Sequence, residues 1–260
     1  MTRILTAAAL IPVIVYVVLW SNSLVFLAVL VAAAFLCWRE YDSIAAAYGF
    51  GAPGPIGLGA GMALLFLPTD TWLLIGLVAA IALVVSMRSD DLAKALPRAS
   101  LLLMGIVYVF AGWRSAIPLR EMNPHWLLFA LLLNWAGDTG AYFAGRAFGK
   151  HKLAPVVSPK KTWEGAVASV VASVVVAGGY VLKLIPDVPA VHVVVLAILA
   201  NIAGQLGDLV ESAMKRGAGV KDSGAILPGH GGFLDRVDST LFALPVTYAY
   251  LRFFLYYMGR

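Results

Sequence analysis

Charge is what this sequence has least of. Only 13% of its 260 residues are Asp, Glu, Lys or Arg, while 61% are hydrophobic and the mean hydropathy is +0.88. A water-soluble globular chain carries about 25% charged residues, so a soluble domain is excluded and an integral membrane protein is indicated. Cysteine is nearly absent too. The one thiol, Cys37, permits no intrachain disulfide and sits in an apolar run, which reads as a buried, inert group without redox chemistry. Also missing are a Walker A loop, which argues against a P-loop ATPase, a fixed-period repeat, a low-complexity tail and any nucleic-acid module. The pI of about 9.3 therefore does not point to nucleic acid. The basic residues stand in short loops beside apolar runs, where anionic lipid head groups are the simpler partner.

What is present is a series of apolar runs. Stretches approaching the roughly 20 residues needed to cross a bilayer fall near 4–20, 23–38, 55–68, 71–87, 99–119, 125–146, 164–185, 189–210 and 237–257. They predict an all-α, polytopic membrane protein of about nine spans, with a single domain over 1–260. The first run lacks a small-residue cleavage site and is followed at once by another, so it reads as retained, not as a signal peptide. The third is the weakest, because Gly51, Pro53, Gly54, Pro55, Gly57, Gly59 and Gly61 crowd its start and lower helix propensity. With nine spans, the basic residues from Arg3 and Arg39 through Arg88, Lys94, Arg98, Arg146, Lys150 and Lys152 to Arg236 share one face. Only Arg114, Arg120, Lys183, Arg252 and Arg260 lie toward the other. The positive-inside rule puts the N terminus and the polar loops in the cytoplasm; eight spans would split the basic loops between both faces.

The chemistry gathers in one polar stretch, 212–238. It holds Ser212, Lys215, Arg216, Lys221, Asp222, Asp235, Arg236 and Asp238, with Glu211 just before it and Pro228-Gly229-His230-Gly231-Gly232 inside it. Cations beside carboxylates suit a substrate that brings both phosphate and a metal ion, since cations take phosphate oxygens and hard Asp oxygens hold Mg²⁺. The glycines allow backbone N–H groups to approach a phosphate. His230 has three open roles: binding phosphate, moving a proton, or holding the loop. Asp235 and Asp238 read either as helix caps or, with Asp208, as oxygen ligands for a divalent ion.

Two predicted spans carry polar stripes. Asn201, Gln205, Asp208, Ser212 and Lys215 recur at helical spacing on the eighth, and Asn134, Asp138, Tyr142 and Arg146 are four apart on the sixth. Asn and Gln alone would read as interhelical hydrogen bonding; a carboxylate at the edge of a span is costly and reads as functional. Asp138 either pairs with Arg146 or Arg114 or lines a polar cavity with Asp208. In Ser158-Pro159-Lys160-Lys161-Thr162, Ser followed by Pro predicts an N-cap and first helical residue, placing both lysines in the first turn of the seventh helix. Cations there oppose the helix dipole unless an anion docks on them. Solvated or lipid-facing lysines are the alternative.

Ser212-x-x-Lys215-Arg216, Lys221-Asp222, Pro228-Gly229-His230-Gly231-Gly232 and Asp235-Arg236-x-Asp238 together resemble the signature of the phosphatidate cytidylyltransferases, or CDP-diacylglycerol synthases. Ser158-Pro-Lys-Lys-Thr-Trp-Glu-Gly165 and Gly137-Asp-Thr-Gly-Ala-Tyr142 resemble other motifs of that family. The resemblance implies an enzyme of the cell (inner) membrane that transfers CMP from CTP to phosphatidate, releasing pyrophosphate. It implies Mg²⁺ as cofactor, with K⁺ as a second cation, a homodimer, and a cavity on the cytoplasmic side. Asp208, Asp235, Lys215 and Arg216 would be catalytic, and Asp208, Asp235 and Asp238 would hold metal. Ser158, Lys160, Lys161, Asn134, Asp138, Tyr142, Ser212, Lys221, Asp222, His230, Gly231, Gly232 and Arg236 would bind substrate. A transporter for an anionic metabolite is the competing class, but the polar groups gather at the cytoplasmic end and no inverted repeat is visible. The Asp-x-x-Asp-Gly-x-x-Ala-Arg core of the CDP-alcohol phosphatidyltransferases is absent.

Overall fold

The computed structural model describes residues 2–67, 71–87, 91–226 and 231–257. Pro228, Gly229, His230 and Arg88 lie outside the described residues. Nine helices are present among those described: α1 (Thr2–Leu19), α2 (Ser23–Ala47), α3 (Gly54–Phe66), α4 (Thr71–Ser86), α5 (Leu92–Met122), α6 (Pro124–Phe148), α7 (Trp163–Leu184), α8 (Ala190–Gly217) and α9 (Leu234–Tyr257). Each coincides with one of the apolar runs. Length and composition qualify only four of them, α2, α5, α7 and α8, as candidate membrane spans among the described residues. Four of the other five fall short for separate reasons. α3 has only 13 residues and α4 only 16. α6 and α9 are long enough, but they carry Asp138 and Arg146, and Asp235, Arg236, Asp238 and Arg252, respectively.

The glycines that weaken α3 on propensity grounds are what allow it to pack. A Cβ at Gly57 would run into the Trp38 ring, and one at Gly61 into the Phe110 ring. Small residues at such positions let helices approach closely where no water drives them together. Trp38 and Phe110 stack at 5.5 Å between ring centroids and anchor a buried layer that includes Cys37, Tyr41, Leu64, Ile106 and Leu244. Arg114 closes the end of α3 by donating to the Leu64 and Leu67 carbonyls. Arg120 does the same for α1 through the Val18 and Ser21 carbonyls, with its guanidinium 4.6 Å above the Phe26 ring. Both arginines thus satisfy orphan C-terminal carbonyls, and Arg114 is not the partner of Asp138.

The fold departs from the all-helical expectation at one place. β1 (Lys152–Ala154) and β2 (Ser158–Thr162) form an antiparallel hairpin between α6 and α7. Ser158 and Pro159 therefore do not start a helix. Thr162 is the N-cap, its Oγ1 accepting from Gly165 N at 3.2 Å, and α7 begins at Trp163. Thr satisfies a free N–H, and Glu164 puts an acidic group in the first turn where the dipole favours it. The lysines are thereby moved out of the helix onto a strand. His151 braces the hairpin, its Nδ1 lying 2.7 Å from Glu164 Oε1.

Candidate active site

α6, α7, α8, the hairpin and the start of α9 enclose a cavity of about 420 Å³. Helical periodicity brings Asn134, Asp138, Tyr142 and Arg146 of α6 onto its wall, opposite Asn201, Gln205 and Asp208 of α8. Strand alternation turns Lys161 inward while Lys160 stays exposed at the same cavity. Lys161 Nζ lies 2.6 Å from Asp208 Oδ2, and Ser212 Oγ donates to Asp208 Oδ1 at 3.3 Å. Tyr142 accepts from Arg146 at 3.2 Å, so Arg146 is not the partner of Asp138 either. Asp138 is open to the cavity. Its charge is opposed by Lys161 and Arg236 and repelled by Asp208.

A hydrogen-bonded floor lies beneath these charges. Asn201 Nδ2 donates to Ser169 Oγ at 3.0 Å and Ser173 Oγ at 2.8 Å, and Gln205 Nε2 donates to Asn201 Oδ1 at 2.6 Å. Ser173 in turn donates to the Leu133 carbonyl at 2.7 Å, immediately before a π turn at Val174–Gly178. Asn134 donates to Thr240 Oγ1 at 3.1 Å. These bonds tie α6, α7, α8 and α9 together and give partners to buried polar groups that would be expensive to leave unpaired. Gly137 is required here, because a Cβ would approach Ser169 Oγ at 2.6 Å and Asn201 Nδ2 at 2.7 Å.

Lys215 is placed otherwise than the stripe on α8 suggests. It is buried away from the cavity wall, with Nζ in contact with Glu211 and 2.5 Å from Asp235 Oδ1. Both carboxylates already claim it, so in this structure it is not a free phosphate ligand. Asp235 is equally occupied. Ser223 N donates to its Oδ1 at 3.2 Å and Oδ2 at 3.1 Å, and Gly232 N donates to Oδ2 at 2.8 Å. Gly231 makes this return possible, with φ of 79° and room for Asp235 Oδ2 where a Cβ would stand 2.7 Å away. Asp238 is buried and accepts from Ser239 N at 2.7 Å. Asp138, Asp208 and Asp238 repel one another. Among the described residues, however, no three His, Cys, Asp or Glu side chains are grouped closely enough to hold a metal ion. The triad Asp208, Asp235 and Asp238 is therefore not assembled as one ligand set.

The remaining expected residues are dispersed. Ser158 is half-buried on β2 and does not line the cavity. Lys221 and Asp222 are exposed on the loop after α8, and Arg216 donates to the Val220 carbonyl at 3.3 Å. Arg236 is exposed in the first turn of α9. The cavity also contains Thr162, Ser169 and Ser239, which sequence patterning passes over, and gives Arg146 a wall position rather than the ion pair with Asp138 that was one alternative. The i, i+4 spacing of Ser169 and Ser173 was the legible signal on α7.

A family model described as "Cytidylyltransferase family" matches residues 1–254. Proteins named phosphatidate cytidylyltransferase from Staphylococcus saprophyticus and Staphylococcus haemolyticus are 47% and 46% identical to the chain over 148 residues. One from Staphylococcus aureus strain COL is 44% identical over 148 residues. In each case the match covers 57% of this chain and 57% of the relative, so the chain spans just over half the length of the curated relatives it matches.

Proposed function

Because the chain belongs to the cytidylyltransferase family, we propose that it is a membrane enzyme that converts CTP and phosphatidate to CDP-diacylglycerol and pyrophosphate. The observation that carries this reading is the cavity in which Lys160, Lys161 and Arg146 face Asp138 and Asp208 between apolar helices. Cations there suit phosphates, and the surrounding helices carry the exposed apolar surface a lipid substrate requires, including Phe143, Val167 and Leu206.

In the proposed reaction an oxygen of the lipid phosphate attacks the α-phosphorus of CTP in line. A new P–O bond forms as the bond to pyrophosphate breaks. The nucleophile is already anionic, so no general base is needed and rate enhancement rests on positioning and charge neutralisation. Lys161, Lys160 and Arg146 would hold phosphate oxygens by charge-assisted bonds, and the Asn201–Gln205–Ser169 floor would fix the helices that carry them. The donor chemistry fits a hard divalent cation in part. Asp208 lies on the cavity with Asp138 nearby, whereas Asp235 would first have to release its donors from Lys215, Ser223 and Gly232. Mg²⁺, when bound, would neutralise charge on the reacting phosphates; Asp208 is the residue best placed to hold it, with Asp238 behind. K⁺ as a second cation belongs to the same proposal.

Purified protein in detergent should release pyrophosphate with phosphatidate and CTP, far more slowly with ATP, GTP or UTP, and EDTA should stop it until Mg²⁺ is restored. The proposed cytoplasmic orientation adds a second arm: inverted membrane vesicles should react with CTP supplied outside, and right-side-out vesicles should not. Pyrophosphate release with every nucleotide, or with none, would reject the assignment.

The two lysines differ in a way this assay can read. Lys161 carries the contact with Asp208, while Lys160 is exposed and makes no ion pair among the described residues. Lys161→Ala should lower turnover by about tenfold or more, the scale of one charge-assisted contact to the reacting group, and Lys160→Ala by markedly less. Wild-type kinetics in both would show them to be solvated charges only.

A further inference from the structure

Glu40 is a carboxylate buried near the end of α2, far in sequence from the signature stretch and only 4% exposed. Its partners all lie in that stretch. Oε2 accepts from Ser223 Oγ at 2.9 Å and Leu234 N at 2.7 Å, and Oε1 accepts from Phe233 N at 2.9 Å. Phe233 and Leu234 open α9, so the carboxylate sits on the free N–H groups and positive dipole end of that helix. It acts there as a helix cap supplied by a different helix.

Two glycines of the stretch are shaped to it. A Cβ at Gly224 would meet Glu40 Oε1 at 2.7 Å, and a Cβ at Gly232 would meet Glu40 Oε2 at 2.5 Å and collide with Ser223 Oγ. Neither glycine has a positive φ, so backbone conformation does not demand them. What they supply is the space that the carboxylate fills. The loop between α8 and α9 is therefore held at two points: Asp235 grips Ser223 N and Gly232 N from within, and Glu40 grips Ser223, Phe233 and Leu234 from α2.

We infer that Glu40 is a positioning residue for the cytidylyl-transfer site, holding Ser223, Phe233 and the start of α9 so that Ser239 keeps its place on the cavity wall, with Asp238 and the Asp235–Lys215 pair behind it. This rests on the proposed function for its kinetic arm only. Glu40 touches no cavity-lining atom in the contacts above; its effect passes through the loop and the first turn of α9. A carboxylate is needed because three donors converge on it. Gln keeps one carbonyl oxygen for two of them but turns an NH₂ group toward the third N–H.

The test combines Glu40→Gln, Glu40→Ala and Gly224→Ala with two readouts. The first is trypsin cleavage after Lys221 in detergent-solubilised full-length protein, which needs no activity. The clamp requires faster cleavage in Glu40→Gln and faster still in Glu40→Ala. The second is turnover of CTP and phosphatidate. kcat should fall about tenfold in Glu40→Gln and about a hundredfold in Glu40→Ala, as displacement of reacting groups by about 1 Å can do, with KM for CTP changed less than threefold. Gly224→Ala, which pushes the carboxylate aside, should resemble Glu40→Ala, and the double variant should be no slower than Glu40→Ala alone. Unchanged cleavage in both Glu40 variants, unchanged kcat, or losses from Gly224→Ala and Glu40→Ala that simply multiply, would each overturn the inference. If Glu40→Ala does not accumulate in the membrane, Glu40→Gln and Gly224→Ala still decide it by the same criteria. Wild-type protein inert toward CTP would sink the proposed function while the cleavage arm still judged the clamp.

Discussion

Lys215→Met should destabilise the protein more than any other single change in the polar region. Its ammonium group is buried between Glu211 and Asp235, and the Glu211 side chain is itself almost entirely enclosed. Met preserves the length of the side chain and removes the charge, leaving two carboxylates buried without their cation. Breaking a buried pair in this way costs about 3–5 kcal/mol, and Asp235 also holds Ser223 and Gly232, so the loop should loosen with it. The thermal unfolding midpoint in detergent should drop sharply and membrane yield should fall. Adding Glu211→Gln to Lys215→Met should recover part of the loss, because the two positions are coupled through one contact. A midpoint equal to wild type would mean that Lys215 is not the buried counter-ion described above.

Asp208→Asn should do the reverse, sparing stability and removing activity. Asp208 lies on the cavity wall with its side chain 31% exposed, and its partners are Lys161 and Ser212. Asn retains the shape, keeps one acceptor oxygen for Lys161 and can turn its NH₂ group to donate to Ser212 Oγ, so the unfolding midpoint should move little. Turnover should fall by about a hundredfold or more, the scale seen when one electrostatic contact to a reacting group is removed. Higher CTP should not restore it if the loss lies in stabilising the transferring group as well as in binding. Asp235→Asn makes the informative contrast: its carboxylate holds Lys215 and two backbone N–H groups, so activity and stability should fall together. Near-normal turnover in Asp208→Asn would remove this residue from the chemistry.

The helices were legible because a run of apolar residues is a direct requirement of lipid contact, and every expected run lies on a helix. Their number as membrane spans was less legible, since α3 and α4 are short and α6 and α9 carry charge. The stripe Asn201, Gln205 and Asp208 was readable from spacing alone; its meeting with Asn134, Asp138 and Tyr142 was not, since spacing left Asp138 equally free to pair with an arginine and only the family resemblance favoured a shared cavity. The hairpin was hidden by a local signal: Ser158-Pro159 imitates a helix start, and only the competing cap at Thr162 shows where α7 begins. The pairing of Lys215 was hidden for a different reason. A lysine on a polar helix face presents itself as a ligand for phosphate, and nothing local reveals that a loop twenty residues on returns Asp235 to it. Glu40 was missed because its three partners are all distant in sequence.

The contact between Lys161 and Asp208 has a thermodynamic consequence. Each is the other's counter-ion while the cavity is empty. A phosphate that captures Lys161 strips Asp208 of its compensation, and a cation that captures Asp208 does the same to Lys161. Either event alone forfeits an ion pair; the two together forfeit one and form two. Under the proposed function, nucleotide phosphate and metal should therefore bind with positive linkage, each raising the affinity for the other by the same factor, because such coupling is reciprocal by necessity. An anion or a cation arriving alone meets, at Lys161 and Asp208, a pair that has already neutralised itself.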